Sequence, residues 1–398
     1  VISVQQMQSK LSATPPLELH IEHVPLNAAL NRRLAQDIIA QHPVPPADNS
    51  AMDGYALRLA DLRQNTPLPI CQRIPAGAAP QPLAANSCAR IFTGAELPAG
   101  ADTVVMQENT KALADSVQFL QSENYTVGDN IRPQGQDISA GQQLAKQGDK
   151  ITPALLGLLA SQGLTTVPAQ RPLTVTLIST GNEIIELGQD LAQGQIYNSN
   201  FYAVSSLLAS WGCINIKYLH VEDSLTETIN AFDQSAKDSD LVISFGGVSV
   251  GEEDHVKQAI SSLGQLEQWK IKLKPGKPMM LATINQTPIL GLPGNPVSAF
   301  VTFLLFAKPL LNALCNTNAP STASFQVPLG FSIEKPRQRP EYLRANIVNG
   351  QVISAGNQSS GVLSSLQQCQ GLALIPADQS LNKGEAVSFF PIESLIYG

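Results

Sequence analysis

Four short apolar runs recur through the middle of the chain, at residues 173–178, 214–220, Leu241–Phe245 and 289–292. Helical patterns separate them, at residues 201–211 and 225–237 among others. Strands of that length and apolarity, alternating with helices, predict a mostly parallel sheet covered on both faces. In a doubly wound sheet of this kind, ligands bind beyond the carboxyl ends of the strands. Three of the runs lead into loops of unusual composition. The first continues into Ser179-Thr180-Gly181-Asn182-Glu183 and the third into Gly246-Gly247-Val248-Ser249-Val250-Gly251-Glu252-Glu253-Asp254. The fourth continues into Pro293-Gly294-Asn295-Pro296, ahead of a strongly apolar helix. All three are expected on one rim.

With 398 residues the chain exceeds one ordinary core and should divide into several domains. The α/β pattern occupies residues 173–317. Upstream, Leu26, Ala29, Leu30, Leu34 and Ile38 stand at helical spacing, and Thr152-Pro153 opens a second helix over residues 154–160. Residues 1–46 and 138–172 are therefore read as one split helical domain. Between them, residues 47–137 carry short alternating runs broken by Gly, Pro and Asn, the texture of a small β domain. Residues 318–398 return to short strands and turns, predicting a β-barrel-like domain or sandwich.

The formal net charge of −7 argues against a nucleic-acid-coating surface. The longest apolar stretch, near residues 299–314, is interrupted by Thr302, Lys308, Pro309 and Asn312, so no membrane span is expected. No basic-then-apolar leader pattern opens the chain, and the cytoplasm is the expected compartment. Five cysteines at long spacings and five scattered histidines form no zinc or disulfide pattern. A metal would take oxygen ligands, which suits magnesium.

Within the loops, Gly246, Gly247 and Gly251 let backbone N–H groups approach an anion, helped by the following helix N-terminus. The same residues also read as a tight strand-to-helix turn capped by acids. Neither the G-x-G-x-x-G pattern nor the phosphate-binding G-x-x-x-x-G-K-[ST] loop is present, which disfavours a nicotinamide enzyme or a standard triphosphatase. In Lys270-Ile271-Lys272-Leu273-Lys274, an extended backbone would place the lysines on one side. Such a stripe suits phosphate or an oxyanion, or else protects a sheet edge. Asp53-Gly54 and Asp137 read equally as turn formers.

Taken together the segments resemble the molybdopterin molybdenumtransferase family, the MoeA proteins and the C-terminal domain of gephyrin. The matching motifs begin with Asp48-Asn49-Ser50-Ala51-Met52-Asp53-Gly54-Tyr55-Ala56, Arg90-Ile91-Phe92-Thr93-Gly94-Ala95 and Val104-Val105-Met106-Gln107-Glu108. They continue through Ile131-Arg132-Pro133 to Asp137-Ile138, Ser179-Thr180-Gly181, residues 244–254, Lys274-Pro275-Gly276-Lys277-Pro278 and Leu292-Pro293-Gly294-Asn295-Pro296. Each is weak alone; their order over nearly the whole length is specific.

The resemblance implies a four-domain homodimer whose cleft lies between the α/β domain of one subunit and the β domain of the other. It implies insertion of molybdate into adenylylated molybdopterin, with release of AMP. It places catalytic roles at Asp53, Thr93, Asp137, Glu183, Asp223 and Asp254. Substrate-binding roles fall at Gly246, Gly247, Ser249, Gly251, Lys270, Lys274, Pro293, Pro296, Arg344 and Ser365, with Glu183 and Asp254 as ligands for Mg2+. Asn182 and Asn198 depart from the pattern, standing where the family often has aspartate. The length is accounted for without a fused adenylyltransferase domain, so substrate should come from a separate molybdopterin adenylyltransferase and product pass to cofactor-handling proteins. An adenylyltransferase-like enzyme or a non-catalytic molybdopterin-binding scaffold are the alternatives.

Overall fold

The computed structural model describes residues 2–120, 122–248, 255–317 and 322–397. Its centre is a six-stranded sheet, in the spatial order Asn215–Val221, Thr174–Thr180, Leu241–Phe245, Thr287–Leu292, Pro278–Ile284, Gln265–Lys270. The first four strands are parallel, and Pro278–Ile284 runs antiparallel to both neighbours. From Thr174–Thr180 the chain crosses outward to Asn215–Val221, then back past its start to Leu241–Phe245. That reversal leaves a crevice between the carboxyl ends of Thr174–Thr180 and Leu241–Phe245.

One face of the sheet is covered by helix Pro296–Leu314, in whose core Val301, Phe303, Phe306 and Leu310 are fully buried. By length and composition this helix could cross a membrane, yet 78% of that span is buried inside the protein. Leu225–Asp238 and His255–Leu263 cover the other face through Phe232, Val256 and Ile260. The expected strands and helices of this region form within a few residues of their expected ends.

The N-terminal stretch differs from its helical expectation. Val4–Ser12 is helical, but it lies on Pro296–Leu314 and adds Val4, Met7 and Leu11 to the α/β core. Residues 26–38 hold only the short 3-10 turn Leu26–Ala28. Around it, Ile21–Pro25 pairs with Thr166–Gln170, and Ile38–Ile39 pairs with Gln143–Ala145. One local feature interrupts a helix here: Asn31 stands in the left-handed region at φ 65°. Val24, Ala29, Leu34 and Ile38 are buried all the same, against Ala145, Leu159, Val167 and Ala169, so pairing distant in sequence overrides the local period. Helix Pro153–Ser161 forms as its sequence implies, with Thr152 Oγ1 accepting from the Leu155 N–H and proline in the first turn.

The second six-stranded sheet runs Thr103–Met106, Gly54–Leu57, Cys88–Ile91, Leu68–Ile74, Ser116–Phe119, Thr110–Ala112. At the C-terminal end, five antiparallel strands follow the order Phe325–Pro328, Ala386–Pro391, Gly371–Ile375, Glu341–Val348, Gln351–Ser354. A bridge from Leu329 to Val352 draws its two edges together, curling it into a half-barrel.

This last domain docks on the α/β domain through backbone and charge. Lys274 donates its N–H to Pro340 O at 2.9 Å and accepts from the Tyr342 N–H at 2.8 Å. Between those contacts, Lys274 Nζ lies 2.8 Å from Oε1 of Glu341, whose side chain is 3% exposed. Arg337 Nε stands 3.2 Å from Oε2, without the alignment of a hydrogen bond. Removing one partner of a buried ion pair strands the other charge, whereas replacing both is cheaper. Because Lys274 is partly exposed and Arg337 remains nearby, Lys274→Met should cost about 1–2 kcal/mol in urea unfolding, with the double variant Lys274→Met/Glu341→Gln recovering part of it. A double variant less stable than the single would contradict the pairing.

Candidate functional site

Parallel pairing sets the rim of the crevice. Thr180 lies opposite Val221 and Phe245 opposite Leu292, so the loops that follow emerge side by side. Gly246 and Gly247 both hold positive φ, 79° and 63°, which side-chain-bearing residues adopt at a cost. The Gly246 N–H donates to Leu292 O at 3.1 Å. Close approach continues on the neighbouring loop, where a Cβ on Gly294 would come within 3.6 Å of the Gly246 Cα. Pro293 is buried and Pro296 half-buried, and helix Pro296–Leu314 starts directly after this turn. Ser249, Gly251 and Asp254 fall outside the described residues.

On the other side of the crevice, two loops are tied reciprocally. The Asn182 N–H donates to Asp223 Oδ2 and the Asp223 N–H to Asn182 Oδ1, each at 3.2 Å. His220 Nε2 lies 2.9 Å from Gly181 O. Glu183 and Asp223 are both exposed on this part of the rim. The Glu183 carboxylate folds back over its own turn: a Cβ on Gly181 would sit 2.2 Å from Oε2. Asn182 therefore braces Asp223. Asn198 is buried at 3% exposure, where it caps helix Ser199–Ser210 and donates to Tyr218 Oη at 2.6 Å and Ser179 Oγ at 3.2 Å. As the amide it can both cap and donate; an ionised aspartate could not donate. Two residues on, Asn200 Nδ2 donates to Gly294 O at 2.8 Å, linking this helix to the proline loop.

Among the described residues there is no group of three or more His, Cys, Asp or Glu side chains that could hold a metal. Glu183 thus stands as an exposed carboxylate on this part of the rim, with Asp223 in the adjoining loop hydrogen-bonded to Asn182.

Asp53 and Thr93 meet beside the second sheet, just before strand Gly54–Leu57 and just after strand Cys88–Ile91. Asp53 Oδ1 accepts from the Thr93 N–H at 2.8 Å and from Thr93 Oγ1 at 2.7 Å. These two hydrogen bonds, the backbone one first, hold its carboxyl below the usual aspartate range, with Arg90 adding a smaller pull. Arg90 is itself fixed, donating to Gly54 O at 2.8 Å and lying over the Phe92 ring at 4.6 Å. Gly54 is required by space, because a Cβ there would be 2.0 Å from Val105 O. Asp137 is exposed at the joint with the split domain, where its N–H donates to Val44 O at 2.9 Å. Among the described residues, no hydrogen bond or ion pair joins Asp53, Thr93 or Asp137 to the α/β rim.

The lysine stripe alternates as an extended strand should: Ile271 and Leu273 are fully buried while Lys270 and Lys272 are exposed. Lys272 is bonded to Asp378 at 3.1 Å and Lys274 to Glu341. Much of the stripe's charge is thus answered within the chain. Arg344 is 1% exposed, and its pKa is lowered by burial. Its Nε donates to Ser365 Oγ at 3.1 Å, and its terminal nitrogen to Asn357 O and Ser359 O at 3.2 and 3.1 Å. The next carbonyl, Ser360 O, accepts from the Val297 N–H at 3.1 Å, in the first turn of the helix behind the proline loop. This support chain reaches the rim through Gln358, Arg344 and Ser360, and sequence reasoning missed it because Asn357-Gln358-Ser359-Ser360 carries no pattern beyond that of a polar loop.

Comparison with known proteins assigns all these regions consistently. Residues 2–163 match the MoeA N-terminal region (domain I and II), residues 176–313 a probable molybdopterin binding domain, and residues 326–392 the MoeA C-terminal region (domain IV). The molybdopterin molybdenumtransferase of Haemophilus influenzae is 36% identical over 404 residues, covering 100% of both chains. That of Bacillus subtilis is 32% identical, over 89% of this chain and 86% of the relative. A crystal structure of the molybdopterin biosynthesis MoeA protein from Pyrococcus horikoshii superimposes with a TM-score of 0.81 at 27% identity, covering 98% of this chain and 99% of that one. By its full-length relatives, its three matched regions and its fold, this chain belongs to the MoeA family.

Proposed function

We propose that this protein is a molybdopterin molybdenumtransferase, which inserts molybdate into adenylylated molybdopterin and releases AMP. The observation that carries the reading is the glycine-built rim at the sheet's reversal point, in a chain that matches molybdenumtransferases from end to end. Two dithiolene sulfurs of the substrate take the metal while oxo groups leave molybdate as water, so protons must be delivered. Water adds to the adenylate phosphorus, and AMP departs. No protein thiol is needed.

The roles of the residues follow from charge. Amides of the Gly246–Gly251 loop and the lysines Lys270 and Lys274 offset the negative charge of molybdate and pterin phosphate. Lys274 does so while shared with Glu341. Pro293 and Pro296 shape the loop, and Arg344 with Ser365 holds its support in place. Magnesium on Glu183, with Asp254 as further ligand, would neutralise the pyrophosphate. Asp53, Asp137 and Asp223 position water or carry protons. The β-domain carboxylate reaches the rim by pairing two subunits, so the working form is a homodimer supplied by a separate adenylyltransferase in the cytoplasm.

Asp53→Asn should leave substrate binding unchanged and lower molybdate-dependent AMP release by about 100-fold or more, the scale of a lost proton-transfer group. Parallel loss of binding and turnover would reject a chemical role for Asp53. Tight pterin binding by the unaltered protein with no AMP release would instead mean a scaffold.

Thr93→Val removes the hydroxyl bond to Asp53, so the Asp53 pKa should rise toward its ordinary 3.8. Since a depressed carboxylate pKa favours the ionised form down to lower pH, the variant should protonate earlier as pH falls, by carbon-detected NMR titration. An unchanged titration would show that Thr93 does not set the charge of Asp53.

A further inference from the structure

Away from the rim, the seam between the split domain and the α/β domain gathers three cations. Arg33 and Lys150 come from the former, Lys308 from helix Pro296–Leu314, and all three line one small cavity of about 50 Å³. Among the described residues lining it there is no carboxylate, in a chain whose net charge is −7.

Two of the cations reach neutral acceptors. Arg33 donates to Gly148 O at 3.2 Å and to Asn312 Oδ1 at 3.0 Å, and Lys150 Nζ lies 3.5 Å from Ser210 O. Lys308 Nζ has no hydrogen-bond partner among the described residues: the atom is buried, with the Trp211 ring 6.0 Å away. That ring cannot swing aside, since it stacks on Phe303 and its Nε1 donates to Ile396 O.

The groups that could answer the charge from other elements do not. Asp240 is held by both guanidinium nitrogens of Arg171, at 2.6 and 2.7 Å. Asp149 acts on Arg33 at longer range, while its Oδ2 accepts from the Lys146 N–H. Cys213 and Cys315 also line the cavity, but burial pushes the Cys213 thiol up to about 12 and Cys315 up as well, so both stay neutral. Burial lowers both Lys150 and Lys308; the charge of Arg33 adds to it at Lys150, and those of Lys150 and then Arg33 add to it at Lys308. A buried ammonium without an acceptor costs free energy that a counter-ion removes.

We propose that this cavity is a halide-type anion site, in which one monatomic anion bridges Lys308, Arg33 and Lys150 and fastens the split domain to the α/β domain. Its size admits the class: at about 30 Å³ per water, about 50 Å³ accommodates one or two waters or one chloride-sized ion. Trp211 and the thiols supply the weakly polar wall that suits a large, soft, singly charged ion over a strongly hydrated one. The site is separate from the rim, and its occupancy is independent of the proposed reaction.

The test uses bromide as probe. Crystals of the full chain grown without halide and soaked in sodium bromide should show an anomalous peak between Lys308 Nζ and Arg33. In solution, chloride should raise the melting temperature saturably, where gluconate at equal ionic strength does not. Lys308→Met should weaken the half-saturating chloride concentration by about tenfold or more, the effect of losing a charge-assisted contact. If that variant does not fold, Lys150→Gln serves the same measurement. No bromide peak in the cavity, or equal stabilisation by chloride and gluconate, would overturn the proposal.

Discussion

Parallel pairing of Thr174–Thr180 with Leu241–Phe245, two strands separated in the chain by a crossover out and back, is the constraint on which the rest depends. Hydrogen-bond register leaves their carboxyl ends level and their following loops free to diverge. A crevice must form there, whatever residues follow. What this chain adds is backbone that can come close: Gly246 and Gly247 in left-handed conformations, and Gly294 against Gly246. Side chains enter from the flanks, through Glu183 and the paired Asn182 and Asp223.

A crevice made of backbone is only as rigid as what lies behind it. Here the support comes from the C-terminal half-barrel. Arg344, its buried side chain donating to one hydroxyl and two carbonyl oxygens, locks the Asn357 and Ser359 carbonyls, and Ser360 then takes the first free N–H of helix Pro296–Leu314. Glu341 does a parallel service for the Lys274 turn. In both cases an ionised group is held out of water, Arg344 by contacts within the half-barrel and Glu341 by a contact across the domain boundary, an arrangement weak as a source of stability but demanding in geometry. The C-terminal domain thereby fixes both loops while remaining outside the crevice.

The α/β domain was legible because its signals are local. Apolar strands of four to seven residues and helices such as Leu225–Asp238, capped by Ser224, read the same in isolation as in the fold. Residues 26–38 were not, since their burial is satisfied by strands over 100 residues away at Ala145 and Ala169, a contact that leaves no local period. For the site, the glycine and proline loops announced themselves by composition. The function of Arg344 did not, because its partners are carbonyl oxygens, which every residue carries. Asp53 stood out only as part of a motif; its pairing with Thr93 links positions 40 residues apart.

The most direct test of the account is a crystal structure of the protein with adenylylated molybdopterin bound, phosphorus positions located by anomalous scattering. The account predicts both phosphorus atoms of the pyrophosphate over the Gly246 and Gly247 amides, at the crevice between the first and third strands of the α/β domain. Phosphate located in the half-barrel or on the β domain alone, with that crevice empty, would contradict it.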